Sequence, residues 1–128
     1  MTREPDVLKS LVGVRVLVVD EDADARVLLE ALLAYCGAFV TTMLSARDAV
    51  AHVGGTPTDV VIADVSLPHE ESYWLVRQIG GRVPIVALAQ RMQDGPDKTL
   101  AAGFDAHVPK PVDPWELCRV VAELARKA

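Results

Sequence analysis

A chain of 128 residues has the length of one domain and enough material for a substantial core. Hydrophobic residues make up 51% and aromatics only 5%, so that core is aliphatic, as in parallel α/β sheets. The net charge of −5 excludes a broad electrostatic grip on nucleic acid, and no apolar stretch approaches the roughly 18 residues that a membrane span requires.

Residues 1–12 read as a loosely held N-terminal extension, in which Glu4, Asp6 and Lys9 interrupt any signal-peptide core, and residues 13–128 as the domain. The β-branched run at 14–19 predicts a first strand that closes on Asp20-Glu21-Asp22. From 23 to 36, Val27, Leu28, Ala31, Leu32 and Tyr35 form a helical stripe expected to face inward, with Asp22 or Asp24 capping its start and Gly37 stopping it. Residues 38–43 predict a weaker second strand, and Ser45-Ala46-Arg47-Asp48 has the form of a capping box opening a short helix that Gly54-Gly55 ends.

Val60-Val61-Ile62-Ala63 reads as a strand buried on both faces that ends in one carboxylate, Asp64. A helix follows at 70–79 with Leu75, Val76 and Ile79 inward, then a fourth strand at 84–88. Asp94-Gly95-Pro96 begins an Ala-rich helix ending at Gly103, and residues 104–108 supply a fifth strand. The last helix carries the clearest local signal: Asp113 caps, Pro114 takes the first position, Glu116 closes the box, and Leu117, Val120, Val121 and Leu124 share one face. Cys36 and Cys118 have no metal or redox spacing and are expected to be buried, reduced thiols, which implies a cytosolic setting.

Five strands alternating with five helices give an α/β, doubly wound five-stranded parallel sheet. In the order 2-1-3-4-5 the first and third strands are neighbours, and Asp20, Glu21 and Asp64 meet at one edge. Three carboxylates that close repel one another unless a cation shares the site, and hard oxygen ligands with room for water favour Mg²⁺. Lys110, aimed by Pro109 and Pro111, stands at the same edge and is expected to pair with Asp64.

Leu17-Val18-Val19-Asp20-Glu21-Asp22, Asp59-Val60-Val61-Ile62-Ala63-Asp64 with Leu67-Pro68, Pro84-Ile85-Val86-Ala87-Leu88, and Ala102-Gly103-Phe104-Asp105-Ala106-His107 running into Lys110-Pro111 occur in an order and spacing that resemble the receiver domains of two-component response regulators. The resemblance covers residues 14–125, and the stretch 103–114 is most similar to receivers of hybrid sensor histidine kinases. It implies a flavodoxin-like fold in which Asp64 matches the phosphoacceptor, taking its phosphoryl group from a histidine kinase or phosphotransfer protein. By the same resemblance Glu21 and Asp64 bind Mg²⁺ through side chains, the Ser66 carbonyl is a third ligand and Asp20 acts through water. Lys110 contacts the phosphoryl group, and the Lys110-Pro111 bond is cis.

The chain departs from that family at several positions. Ala89 stands where a Thr or Ser hydroxyl would bond the phosphoryl group, and His107 replaces the switch aromatic. His69-Glu70-Glu71-Ser72 replaces a Gly-rich loop, and Ser66 and Arg91 match positions that govern the lifetime of the aspartyl phosphate. The resemblance therefore implies a cytoplasmic signalling domain with an atypical switch. Its alternative is a phosphorylation-independent pseudo-receiver that works as a protein–protein interaction module. A flavodoxin-like electron carrier ranks last, since the first strand runs into acids and not into a Gly-rich phosphate loop. The downstream protein is expected on the face of the fourth helix, fifth strand and fifth helix, near His107 and Trp115. No direct contact with nucleic acid or membrane is expected.

Overall fold

The strand that carries Asp64, β3 (Val60–Asp64), is buried at all five of its residues because it lies at the centre of the sheet with helices on both sides. The computed structural model describes residues 9–90 and 94–127. Around β3 stand β1 (Arg15–Val19), β2 (Phe39–Met43), β4 (Ile85–Gln90) and β5 (Ala106–Lys110), all parallel, in the order β2-β1-β3-β4-β5. Five helices connect and follow them: α1 (Ala23–Tyr35), α2 (Ala46–Gly55), α3 (Glu71–Ile79), α4 (Pro96–Ala102) and α5 (Pro114–Lys127). Alternate strand residues feed two cores. Val16, Val18, Ile62 and Leu88 pack against α1 and α5, while Leu17, Val61, Ala63 and Ala87 pack against α2 and α3.

The caps form as their residues dictate. Ser45 Oγ accepts the Asp48 N–H at 3.2 Å, Asp113 Oδ1 accepts the N–H groups of Trp115 and Glu116 at 3.0 and 3.3 Å, and Asp22 Oδ1 accepts that of Asp24 at 3.1 Å. The Lys110-Pro111 bond is cis.

Four details differ from the sequence reading. The inward face of α1 is Leu29, Leu33 and Cys36, with Leu32 partly buried; Val27, Leu28 and Tyr35 are exposed. From Val27 to Tyr35 all but Glu30 are apolar, so periodicity alone allows two faces, and the crossover from β1 to β2 selects one. β5 begins at Ala106 and includes Lys110, because Asp105 uses its side chain, Oδ2, to take the Ile85 N–H at 2.8 Å and Phe104 turns into the core, edge-on to Tyr73. A 3₁₀ turn, Pro68–Glu70, precedes α3, and Glu70 adopts a left-handed φ of 55° that side chains other than glycine rarely take. Within the expected extension, Leu11 is fully buried and its N–H bonds the Cys36 carbonyl at 3.0 Å.

Candidate functional site

Val19 of β1 pairs with Ala63 of β3, so the next residues of both strands, Asp20 and Asp64, emerge side by side at the carboxyl edge of the sheet. Both are buried, at 1% and 6% exposure. Asp64 is held on both oxygens. The Ser66 N–H and hydroxyl donate to Oδ1 at 3.0 and 2.9 Å, and the Lys110 ammonium lies 3.1 Å from Oδ2. Lys110 ends β5, two strands away, and spans back across β4 to reach it.

Asp20 is less well satisfied. Oδ1 accepts the Asp22 N–H at 3.0 Å, and its backbone carbonyl accepts the Arg26 guanidinium at 2.7 Å, but Oδ2 is buried with no hydrogen-bond partner. Burial pushes the Asp20 carboxyl above its ordinary range, and the charge of Asp64 adds to the push; the Asp22 N–H and Lys110 work against it. Two carboxylates thus face one ammonium, with one acceptor left over. Such an acceptor set fits a hard divalent cation.

Glu21 follows Asp20, just past the end of β1. It is exposed, and among the described residues no three His, Cys, Asp or Glu side chains gather into a cluster able to hold a metal ion. Two buried acids, Asp20 and Asp64, are what this edge brings together, which suits an ion that keeps several waters of its own.

Ala89, the residue after Asp64's partner Leu88, is buried and brings only a methyl group to the end of β4. His107 is half-buried on β5, and its Nδ1 lies 2.8 Å from the hydroxyl of the buried Thr99 in α4. Arg91 lies outside the described residues. Trp115 is half-buried at the start of α5, packed on the core.

Three participants were missed in the sequence: the Ser66 hydroxyl as a bond to Asp64, Arg26 on the Asp20 carbonyl, and Thr99 on His107. The first has a readable signal, since a serine two residues after an aspartate regularly bonds it; the other two depend on which helix face turns inward. Under the Lys98 ammonium and edge-on to Phe104, Tyr73 is buried and its hydroxyl is pushed up to about 12 by that burial and by the neighbouring Asp94 and Glu70 charges.

Residues 16–122 match the family model described as the response regulator receiver domain. The chain is 35% identical over 117 residues to a probable transcriptional regulator of Guillardia theta, covering 88% of this chain and 46% of that protein. It is 31% identical over 122 residues to an uncharacterised 14.6 kDa protein of Leptolyngbya boryana, covering 91% and 93%. It therefore spans nearly all of the second relative and less than half of the first. Similar solved structures include a response regulator receiver protein from Burkholderia phymatum (28% identity, TM-score 0.79, 88% of this chain and 95% of that one). Another is the receiver domain of a sensor histidine kinase from Pseudomonas aeruginosa, with magnesium coordinated in its active-site cleft (28% identity, TM-score 0.78, 88% and 97%).

Proposed function

The chain belongs to the response regulator receiver domains, the signalling domains of two-component systems, and from that membership we propose that it takes a phosphoryl group onto Asp64 from the phosphohistidine of a histidine kinase or phosphotransfer protein. The observation that carries this reading is the placement of one carboxylate, buried at a strand's carboxyl end, with an ammonium on one oxygen and a hydroxyl on the other. An Asp64 oxygen bonds to phosphorus as the phosphorus–nitrogen bond breaks; the electron pair stays on the imidazole, which takes up a proton, and an acyl phosphate remains. Lys110 offsets the charge that the phosphoryl oxygens bring.

Use of Mg²⁺ is general to this family, and the residues here fit it, since the buried Asp20 Oδ2 has no other partner. Asp64 and Glu21 would hold the ion through side chains and Ser66 through its carbonyl, with Asp20 acting through water; the bound ion would supply positive charge to the phosphoryl oxygens. Ser66, already bonded to Asp64, and Arg91 set the lifetime of the phosphate in this reading. The domain acts in the cytoplasm as a signalling module and turns over no substrate beyond its own phosphate. Among the described residues no helix is long and apolar enough to cross a membrane. The partner face is that of α4, β5 and α5, around His107 and Trp115.

One specific observation favours a second reading, binding without phosphorylation: position 89 near the end of β4 is a buried alanine, whose methyl offers no donor. Incubation with acetyl phosphate and Mg²⁺, followed by intact mass, separates the two. Gain of one phosphoryl group, lost in Asp64→Ala, is the expected result; an unmodified mass in the wild type overturns it and leaves the binding module.

A further inference from the structure

Cys36 and Cys118 are 82 positions apart in sequence, yet the fold brings their sulfurs to 3.1 Å. Both residues are fully buried. Cys36 closes α1, where its N–H bonds the Leu33 carbonyl and its own carbonyl accepts the Leu11 N–H, so its backbone is fixed. Cys118 sits on the inward face of α5, beside Leu117 and Val121 in the same core. Packed carbon atoms meet at about 3.5–4.0 Å. Sulfur is larger than carbon, so this approach is tighter than packing asks for, and a closure of about 1 Å would bring the pair to the roughly 2.05 Å of a disulfide.

We propose that Cys36 and Cys118 form a two-electron oxidation site, a dithiol that a hydroperoxide converts into an intramolecular disulfide joining α1 to α5. One sulfur, after loss of its proton, attacks a peroxide oxygen; the oxygen–oxygen bond breaks, the leaving hydroxide takes up the released proton as water, and a sulfenic acid remains. The second sulfur attacks the sulfenic sulfur, the sulfur–oxygen bond breaks, and the departing oxygen leaves as a second water with the second thiol's proton. Two thiols and one hydrogen peroxide thus give one disulfide and two waters, the two electrons coming from sulfur and reducing the peroxide bond.

Hydrogen peroxide is the fitting oxidant because it is little larger than water, whereas a bulky disulfide has no path to sulfurs that solvent does not reach. Burial, together with the Cys36 contact, pushes the Cys118 thiol up, so the pair is quiet at rest and its rate follows openings of the core. The site is independent of the phosphoryl chemistry. It lies at the far end of the 13-residue α1, about 20 Å from the acids at that helix's start.

The test exposes the whole chain to hydrogen peroxide, then unfolds it in a maleimide and counts labels by intact mass. The expected product is monomeric on a non-reducing gel, carries no label, takes two labels after reduction, and yields a Cys36–Cys118 linked peptide. Its Tm exceeds that of the reduced protein by more than about 5 °C, because the link closes a long loop of the unfolded chain. Cys36→Ala and Cys118→Ala each lose that shift. Two labels after peroxide, a sulfinic acid on either cysteine, or a disulfide between two copies would overturn the proposal, and the wild-type label count reads this without any variant.

Discussion

At the scale of single residues, Asp20 is held at a cost. Its carboxyl binds a proton more readily in the folded protein than in the unfolded chain, so its contribution to stability falls as pH rises above the ordinary carboxylate value of 3.8 and is recovered on acidification. Asp20→Asn removes a buried charge and fills the place of Oδ2 with an amide. The variant should be more stable than the wild type at pH 7 by about 1 kcal/mol, with the gain vanishing below pH 3.8; urea titrations at several pH values measure this. A bound dication should reverse the order. At about ten times its dissociation constant, Mg²⁺ stabilises the wild type by about 1.4 kcal/mol and leaves Asp20→Asn nearly unchanged, if the orphaned oxygen is what the ion answers. An equal magnesium response in both proteins would take Asp20 out of the metal site. Glu70 illustrates a different residue-scale cost. Its left-handed backbone and the lack of any side-chain cap bond predict that Glu70→Gly gains about 0.5–1 kcal/mol, read from the same denaturant curves; a loss would mean that its charge beside Lys98 matters more than its φ.

At the scale of elements, α1 tests how a helix chooses its face. Leu33 is fully buried and Leu28 is 70% exposed, although both are leucines on the same apolar helix. Leu33→Ala should therefore cost about 2–5 kcal/mol and Leu28→Ala no more than about 0.5, a contrast that thermal or urea unfolding resolves directly. The two faces of α1 look alike in sequence because leucine, valine and alanine surround it, so only the docking of the helix on β1 distinguishes them. Elsewhere the local signals were sufficient. The run from Val60 to Ala63, short, β-branched and bounded by Asp64 and Pro68, reads as a central strand, and Ser45 and Asp113 announce helix starts through oxygens that must find N–H groups. The acids at 20 and 64 were legible as strand ends, and as neighbours given the order 2-1-3-4-5 that the sheet adopts. Three features were not legible. The side-chain bond from Asp105 to the Ile85 N–H moves the start of β5, Glu21 is exposed while Asp20 and Asp64 are buried, and the meeting of Cys36 with Cys118 needs α1 and α5 on one side of the sheet. Each depends on contacts between elements, which periodicity along one element does not encode.

At the scale of the whole molecule, the question is how the proposed phosphorylation of Asp64 would reach the proposed partner face of α4, β5 and α5. Around Asp64 the donors are Ser66, on its own loop, and Lys110, at the end of β5; position 89 of β4 carries only a buried methyl group. The side chain at position 89 therefore cannot be drawn toward a new phosphoryl group by a hydrogen bond. Further along, His107 is already tied to Thr99, which joins β5 to α4 before any phosphate arrives. These two features predict that phosphorylation with acetyl phosphate changes amide hydrogen exchange near residues 64–67 and 110 but leaves α4 unchanged. Ala89→Ser places a hydroxyl at the β4 end with little added volume in a buried position. In the phosphorylated variant that hydroxyl becomes a charge-assisted donor, the segment leading from β4 into α4 shifts toward it, and exchange in residues 94–102 should differ between the two phosphorylation states. The same difference appearing in the wild type would show that the signal crosses the sheet without a β4 hydroxyl, with Lys110 and the register of β4 against β5 as the remaining route.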